Sequence, residues 1–131
     1  MNKQTILGYN EMGIELIQGY GLTETSPVIA CETDKRKMPG SVGFPLVNLE
    51  VKIDSPNEEG IGEIAVKGPS VMAGYYQNEE ATQKVLKDGW FFTGDYGYLD
   101  EQGFLYVTGR KNDVIVLRNG KNIYPQELEF L

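Results

Sequence analysis

Leu49, Val51 and Ile53 alternate with Glu50, Lys52 and Asp54, and no other feature constrains the fold of this chain as much. Side chains on a strand point to opposite faces in turn, so a period of two predicts a half-buried strand rather than a helix. SPNEEG then turns the chain and GEIAVKG returns it, which predicts an antiparallel hairpin. The same pattern recurs downstream. GYLDEQGFLYV predicts a hairpin around Asp100–Gly103, and DVIVLRNGKNIY predicts another, with Asn119-Gly120 as a two-residue type I′ turn.

The expected helices are short. Residues 3–12, KQTILGYNEM, predict a helix ended by Gly13, followed by IELIQ as a short buried strand. NEEATQKVLKDG, residues 78–89, predicts one helix capped by Asn78. Glu79 and Glu80 suit its first turn, Lys84 and Lys87 lie toward its end, and Gly89 stops it. Residues 31–40 form a polar loop whose basic knot, Lys35-Arg36-Lys37, reads as solvated. Pro125 before QELEFL has the look of a helix start. The fold class is α+β, mainly antiparallel β, and 131 residues give room for one modest core or two incomplete pieces of a larger one.

Charge and composition remove several functions. With 19 acidic against 12 basic residues the formal charge is −7, so the chain lacks the basic stripe that a nucleic-acid backbone requires. The balance does not exclude one nucleotide, which arrives with magnesium. Cys31 is the single cysteine, so neither a disulfide framework nor a cysteine zinc cluster can form within the chain. There is no histidine, which removes histidine general-base chemistry. The sequence has no signal-like start and no run of transmembrane length, so the expected location is cytoplasmic.

Three stretches carry candidate chemistry. In QGYGLTETSP, Gly19 and Gly21 flank Tyr20, and Thr23, Glu24 and Thr25 follow. An aromatic face, hydroxyl donors and a hard carboxylate oxygen suit a base, a phosphate and a magnesium ion. The same residues also suit a tight strand exit with Tyr20 as a core aromatic, and both readings stand at this point. In FFTGDYGYLD, Gly94 lets the backbone bend and presents Asp95 at the edge of a strand pair. That carboxylate could accept from both hydroxyls of a ribose, or it could satisfy turn amides. Trp90, Phe91 and Phe92 before it read as core. In VTGRKNDVIVLRNGKNIYPQELE, Arg110 could meet ribose or phosphate oxygens, or form a surface pair with Asp113.

Taken in order, YGLTE, TGD and GRKND followed by NGKNIYPQELE resemble the adenylate-forming superfamily. QGYGLTETSP and NGKNIYPQELE look most like bacterial long-chain fatty acid–CoA ligases, and the likeness runs from Gln18 to Glu129. The resemblance implies an enzyme that uses ATP to turn a fatty acid into an acyl-adenylate and then passes the acyl group to coenzyme A. Tyr20 would stack on adenine, Thr23 would contact the α-phosphate, and Glu24 would bind magnesium. Asp95 would hold the ribose hydroxyls and Arg110 would reach the same sugar. Gly19 would lie near the acyl group and Gly120 near the pantetheine arm.

Two domains are implied as well. Residues 1–110 would be the barrel-like last part of the large AMP-binding domain, and residues 111–131 a hinge with the first hairpin of the small domain. The hinge position, usually Asp or Lys in the superfamily, is Asn112 here. The resemblance also leaves room for peripheral association of the parent enzyme with a membrane. A different class of function, a non-catalytic adenine-nucleotide-binding module, is the alternative; a purely structural β-domain would leave the order of the motifs unexplained.

The superfamily's phosphate loop would lie upstream of these residues and its catalytic lysine downstream. Donors aimed at charge developing on the transferred phosphoryl group are usually the largest catalytic contribution. The 131-residue chain alone should therefore show no fatty-acid-dependent ATP–pyrophosphate exchange. Isotope exchange above a no-protein control would overturn that expectation.

Overall fold

The computed structural model describes residues 3–116, 122–123 and 125. Helix α1 (Lys3–Glu11) opens the chain. It ends as a Schellman motif: the Gly13 amide donates to Asn10 O at 3.0 Å and the Ile14 amide to Tyr9 O at 2.9 Å. The motif needs a left-handed residue, and Gly13 supplies it with φ of 77°.

The IELIQ segment is not a strand. Ile14 and Ile17 are 48% and 57% exposed, and pairing begins only at β1 (Gly19–Tyr20). A hydrophobic run needs a partner to become a strand, and the ladder that β1 finds among the described residues, β2 (Ala30–Cys31), is two residues long. β2 pairs in turn with β3 (Phe44–Pro45), giving a small antiparallel sheet ordered β1-β2-β3. Lys37 of the basic knot meets Glu15, and the Arg36 guanidinium lies 5.2 Å from the Phe44 ring centroid.

The larger sheet follows the alternation. β4 (Glu50–Asp54) and β5 (Gly62–Lys67) pair antiparallel from Glu50↔Lys67 to Asp54↔Glu63, the predicted hairpin. Asn57 closes its turn, its Oδ1 accepting the amides of Glu59 and Ile61, both at 3.0 Å. Helix α2 (Glu79–Val85) is shorter than predicted. Asn78 caps it as expected, with Oδ1 accepting the Ala81 amide at 3.0 Å. Leu86 is already extended and begins β6 (Leu86–Lys87), so Lys87 belongs to a strand. Gly89, with φ of 80°, therefore sits in the turn from β6 into β7 (Trp90–Leu99), not at a helix end. The long β7 outcompetes the last helical turn by offering Leu86 and Lys87 a backbone ladder to Phe91 and Trp90.

β7 is the hub. It pairs antiparallel with β5, β6 and β8 (Leu105–Arg110), and the hairpin between β7 and β8 turns at Asp100–Gly103 as predicted. A 3₁₀ turn (Lys111–Asp113) leads to β9 (Ile115–Val116), which pairs antiparallel with β10 (Asn122–Ile123). The predicted Asn119-Gly120 turn lies outside the described residues, as does most of the predicted helix after Pro125.

The core forms where the two sheets meet. Ile29, Ile64, Val66 and Leu105 are fully buried, with Ala30 and Leu49 beside them. Tyr20, Val51, Ile53 and Val107 pack against that cluster. The class is the expected one, α+β and mainly antiparallel.

Gly97 tests the packing of the hub. A Cβ there would stand 2.2 Å from the Tyr106 carbonyl oxygen and 2.9 Å from Ile64 Cδ1, and the backbone atom cannot yield. Gly97→Ala should cost about 3 kcal/mol or more, the upper range for overpacking. Gly94→Ala meets nothing within 4 Å and loses only the ease of holding φ at 74°. It should cost about 1–2 kcal/mol. Urea midpoints of the two variants check the order.

Candidate functional site

β7 does not run straight past β5. Glu63 opposes Tyr96 and Ala65 opposes Phe92, so two steps along β5 match four along β7. Thr93, Gly94 and Asp95 bulge out opposite Ile64 alone. A bulge frees backbone groups and re-aims side chains, and each freed group must find a partner. Thr93 Oγ1 donates to Ile64 O at 2.9 Å and accepts the Asp95 amide at 3.1 Å. Glu63 Oε1 accepts the Gly94 amide, also at 3.1 Å. Asp95 thus lies inside β7 and not at a strand edge, and its own carboxylate is released from turn duty.

That carboxylate is 5% exposed and has two named partners. The Tyr20 hydroxyl donates to Oδ2 at 2.7 Å, across 75 residues of sequence. Arg110 Nε lies 3.3 Å from Oδ1, and Asp95 and Arg110 are direct cross-strand neighbours of β7 and β8. Arg110 therefore pairs with Asp95 and not with Asp113. A carboxylate has about four lone-pair sites, so two partners leave acceptor capacity for hydroxyls approaching from outside.

Tyr20 has one side in each reading. Its ring packs on the core while its hydroxyl reaches the polar cluster. Burial, and a hydroxyl hydrogen-bonded to a carboxylate, hold its phenol well above the ordinary tyrosine range. The glycines beside it differ. Gly19 is exposed in β1. At Gly21 a Cβ would fall 1.7 Å from the Pro27 carbonyl oxygen, so this chain's own backbone claims the space.

The turn after β1 is a 3₁₀ segment, Thr23–Thr25. Thr25 is fully buried; its hydroxyl accepts the Leu22 amide at 3.1 Å and donates to Leu22 O at 2.9 Å. Its chemistry is spent on the turn, which leaves Thr23, exposed, and Glu24, half-buried, at the surface. Glu24 Oε1 accepts the Tyr75 hydroxyl at 2.8 Å, while its carbonyl accepts the Met72 amide at 2.8 Å. Tyr75 had no signal in the sequence, since its partner lies 51 residues away. Thr93 and Glu63 were likewise missed, although Thr93 heads the TGD motif.

Asn112 is exposed within the 3₁₀ turn after Arg110. Its neighbour Lys111 donates to Glu63 Oε2 at 2.7 Å, which raises the lysine pKa. Gly120 is outside the described residues.

The structural neighbours of this antiparallel β-fold are domains of adenylate-forming enzymes. The chain belongs to the AMP-binding enzyme family, whose model matches residues 1–76. Among curated relatives it is 49% identical over 122 residues to a 2-succinylbenzoate–CoA ligase of Oceanobacillus iheyensis, covering 88% of the chain and 25% of that protein. It is 47% identical over 125 residues to a long-chain-fatty-acid–CoA ligase of Bacillus subtilis, covering 89% of the chain and 22% of that protein. The O-succinylbenzoate coenzyme A synthetase of Bacillus subtilis in complex with AMP superposes with a TM-score of 0.85 at 41% identity, over 97% of this chain and 27% of that one. The same synthetase with ATP and magnesium gives 0.86 at 40% identity, over 99% and 28%. The chain thus spans about a quarter of the length of the curated relatives it matches. Among the described residues, no helix is long and apolar enough to cross a membrane.

The Tyr20–Asp95 hydrogen bond has a pH signature. The folded phenol keeps its proton above the ordinary value of 10.0, so its contribution is intact below that pH. Above it the unfolded chain ionises first, and stability falls until the folded phenol titrates, by up to about 1.4 kcal/mol per pH unit. Tyr20→Phe should cost about 1–2 kcal/mol at neutral pH, because Asp95 loses a donor. It should also flatten the alkaline slope. Urea unfolding at a series of pH values from neutral upward checks both effects.

Proposed function

We propose that this chain supplies the sugar- and metal-contacting part of the nucleotide site in an acyl-CoA ligase. The parent enzyme would use ATP to convert a carboxylic acid to its acyl-adenylate, and then transfer the acyl group to coenzyme A. The observation that carries the reading is the buried Asp95 carboxylate, held by Tyr20 and Arg110 with acceptor capacity to spare. Two vicinal hydroxyls are the natural complement of such an acceptor. Arg110, 63% exposed in its side chain, can reach the same sugar or a phosphate while its Nε stays on Asp95. The Tyr20 ring edge and the exposed Gly19 backbone would border the base and the acyl group, and Thr23 would face the α-phosphate.

Magnesium fits this donor set in a limited way. An ATP-borne magnesium ion takes one or two protein carboxylates and fills its shell from phosphates and water. Glu24 offers one carboxylate, half-buried and oriented through Oε1 by the Tyr75 hydroxyl. Bound there, the ion would neutralise phosphate charge; Tyr75 would keep the carboxylate turned toward it. Residues 1–110 would form part of the large domain, with Asn112 as the swivel for a small domain beginning at Lys111.

A long-chain fatty acid is the acyl substrate proposed from the motifs. The 2-succinylbenzoate ligases among the relatives support a second reading, an aromatic dicarboxylic acid. ATP–pyrophosphate exchange by the full-length parent, run over fatty acids and 2-succinylbenzoate, separates them. Exchange with long-chain fatty acids is expected, and exchange with 2-succinylbenzoate alone would transfer the assignment. Asp95→Ala in the same enzyme should lower kcat/KM for ATP by about 100-fold, because a charged hydrogen-bond acceptor is lost. Unchanged kcat/KM in a folded Asp95→Ala enzyme would show that Asp95 does not hold the sugar.

A further inference from the structure

Glu63 grips the residue beside Asp95 and the residue beside Arg110. Its Oε1 accepts the amide of Gly94, which precedes Asp95, at 3.1 Å. Its Oε2 accepts from Lys111 Nζ, which follows Arg110, at 2.7 Å. The Glu63 side chain is 13% exposed, against 51% for Lys111, so the carboxylate is the fixed end and the lysine the arm that closes on it. Glu63 itself is anchored at both sides, paired with Asp54 on β4 and Tyr96 on β7.

We propose that Glu63 is a positioning residue: one carboxylate clasps the β7 bulge and the end of β8, and so sets the Asp95–Arg110 pair for the nucleotide sugar. The inference rests on the nucleotide reading of the site. The bulge explains why a clasp is needed. Three residues, Thr93–Asp95, stand opposite Ile64 without partners of their own on β5, and Gly94 holds a positive φ of 74°. Thr93 secures the Asp95 amide and the Ile64 carbonyl, leaving the Gly94 amide to Glu63. Without that acceptor the Thr93–Gly94 peptide loses its hydrogen bond, and the bulge that carries the Asp95 carboxylate is held through Thr93 alone. The Lys111 arm restrains the other partner, because Arg110 is the last residue of β8 and Lys111 begins the turn beyond it.

The test is the preference of the 131-residue chain for adenosine over 2′,3′-dideoxyadenosine, each titrated with NMR detection. The native chain should prefer adenosine by about tenfold, the usual effect of a hydrogen bond to a carboxylate. Glu63→Ala should erase the preference by weakening adenosine while leaving dideoxyadenosine unchanged. Glu63→Gln, which keeps an acceptor for the Gly94 amide, should retain most of it. Lys111→Met removes one arm and leaves the sheet pairings in place. It should lower the preference part of the way, and it carries the test alone if Glu63→Ala does not fold.

The outcomes separate the two readings. A native preference that Asp95→Asn abolishes and that both Glu63→Ala and Lys111→Met leave intact overturns the clasp but not the sugar site. The same holds for Lys111→Met alone if Glu63→Ala is unfolded. A preference that survives Asp95→Asn, or the absence of any saturable adenosine shift in the native chain, overturns the nucleotide reading and the clasp with it. Equal loss for both nucleosides in Glu63→Ala and in Glu63→Gln means a structural residue and overturns the positioning role.

Discussion

The structure depends on the pairing of β7 with β5. That ladder places Ile64 and Val66 in the buried cluster and takes one edge of β7, leaving the other edge to β6 at Trp90–Phe91 and to β8 at Asp95–Leu99. Because it is antiparallel and half-buried, a one-residue slip would turn its apolar set to solvent, so the register is strongly held. The one irregularity it tolerates is the bulge at Thr93–Asp95. The regular ladder continues on both sides of the irregularity, which makes the bulge a fixed shape.

Asp95 illustrates what such a shape permits. Asp95 is 5% exposed, and a carboxylate so buried would be costly without partners. From the bulge it meets the Tyr20 hydroxyl of the small sheet, and across the β7–β8 ladder the Arg110 guanidinium. One charge is thus shared by three segments that are far apart in sequence. The arrangement is also asymmetric: Tyr20 is committed to the core through its ring, whereas Arg110 keeps most of its side chain in solvent. A ligand can draw on the arginine without dismantling the tyrosine contact.

The neighbouring Glu24 follows the same logic with less burial. Its turn is locked by the Thr25 hydroxyl and by the Met72 amide, and its side chain is aimed by Tyr75. Residues that the motifs had suggested for ligand contact thus divide. Thr25 and Gly21 serve the turn itself; Thr23 and Glu24 remain at its surface.

Local signals determined the hairpins at residues 49–68 and 97–107, the Asn78 cap and the Gly13 helix end, because period-two burial and capping are written in adjacent residues. The ordered motifs YGLTE, TGD and GRKND likewise identified the family. Tertiary structure decided the rest. IELIQ lost its strand for want of a partner ladder, and Leu86–Lys87 left their helix because β7 offered one. Arg110 chose Asp95 over the nearer Asp113, since cross-strand neighbours face each other whatever their distance along the chain. Tyr75, Thr93 and Glu63 entered the site by contacts spanning 51, 29 and 48 residues. No local pattern encodes such pairings, because they exist only once the β7 register has brought the segments together.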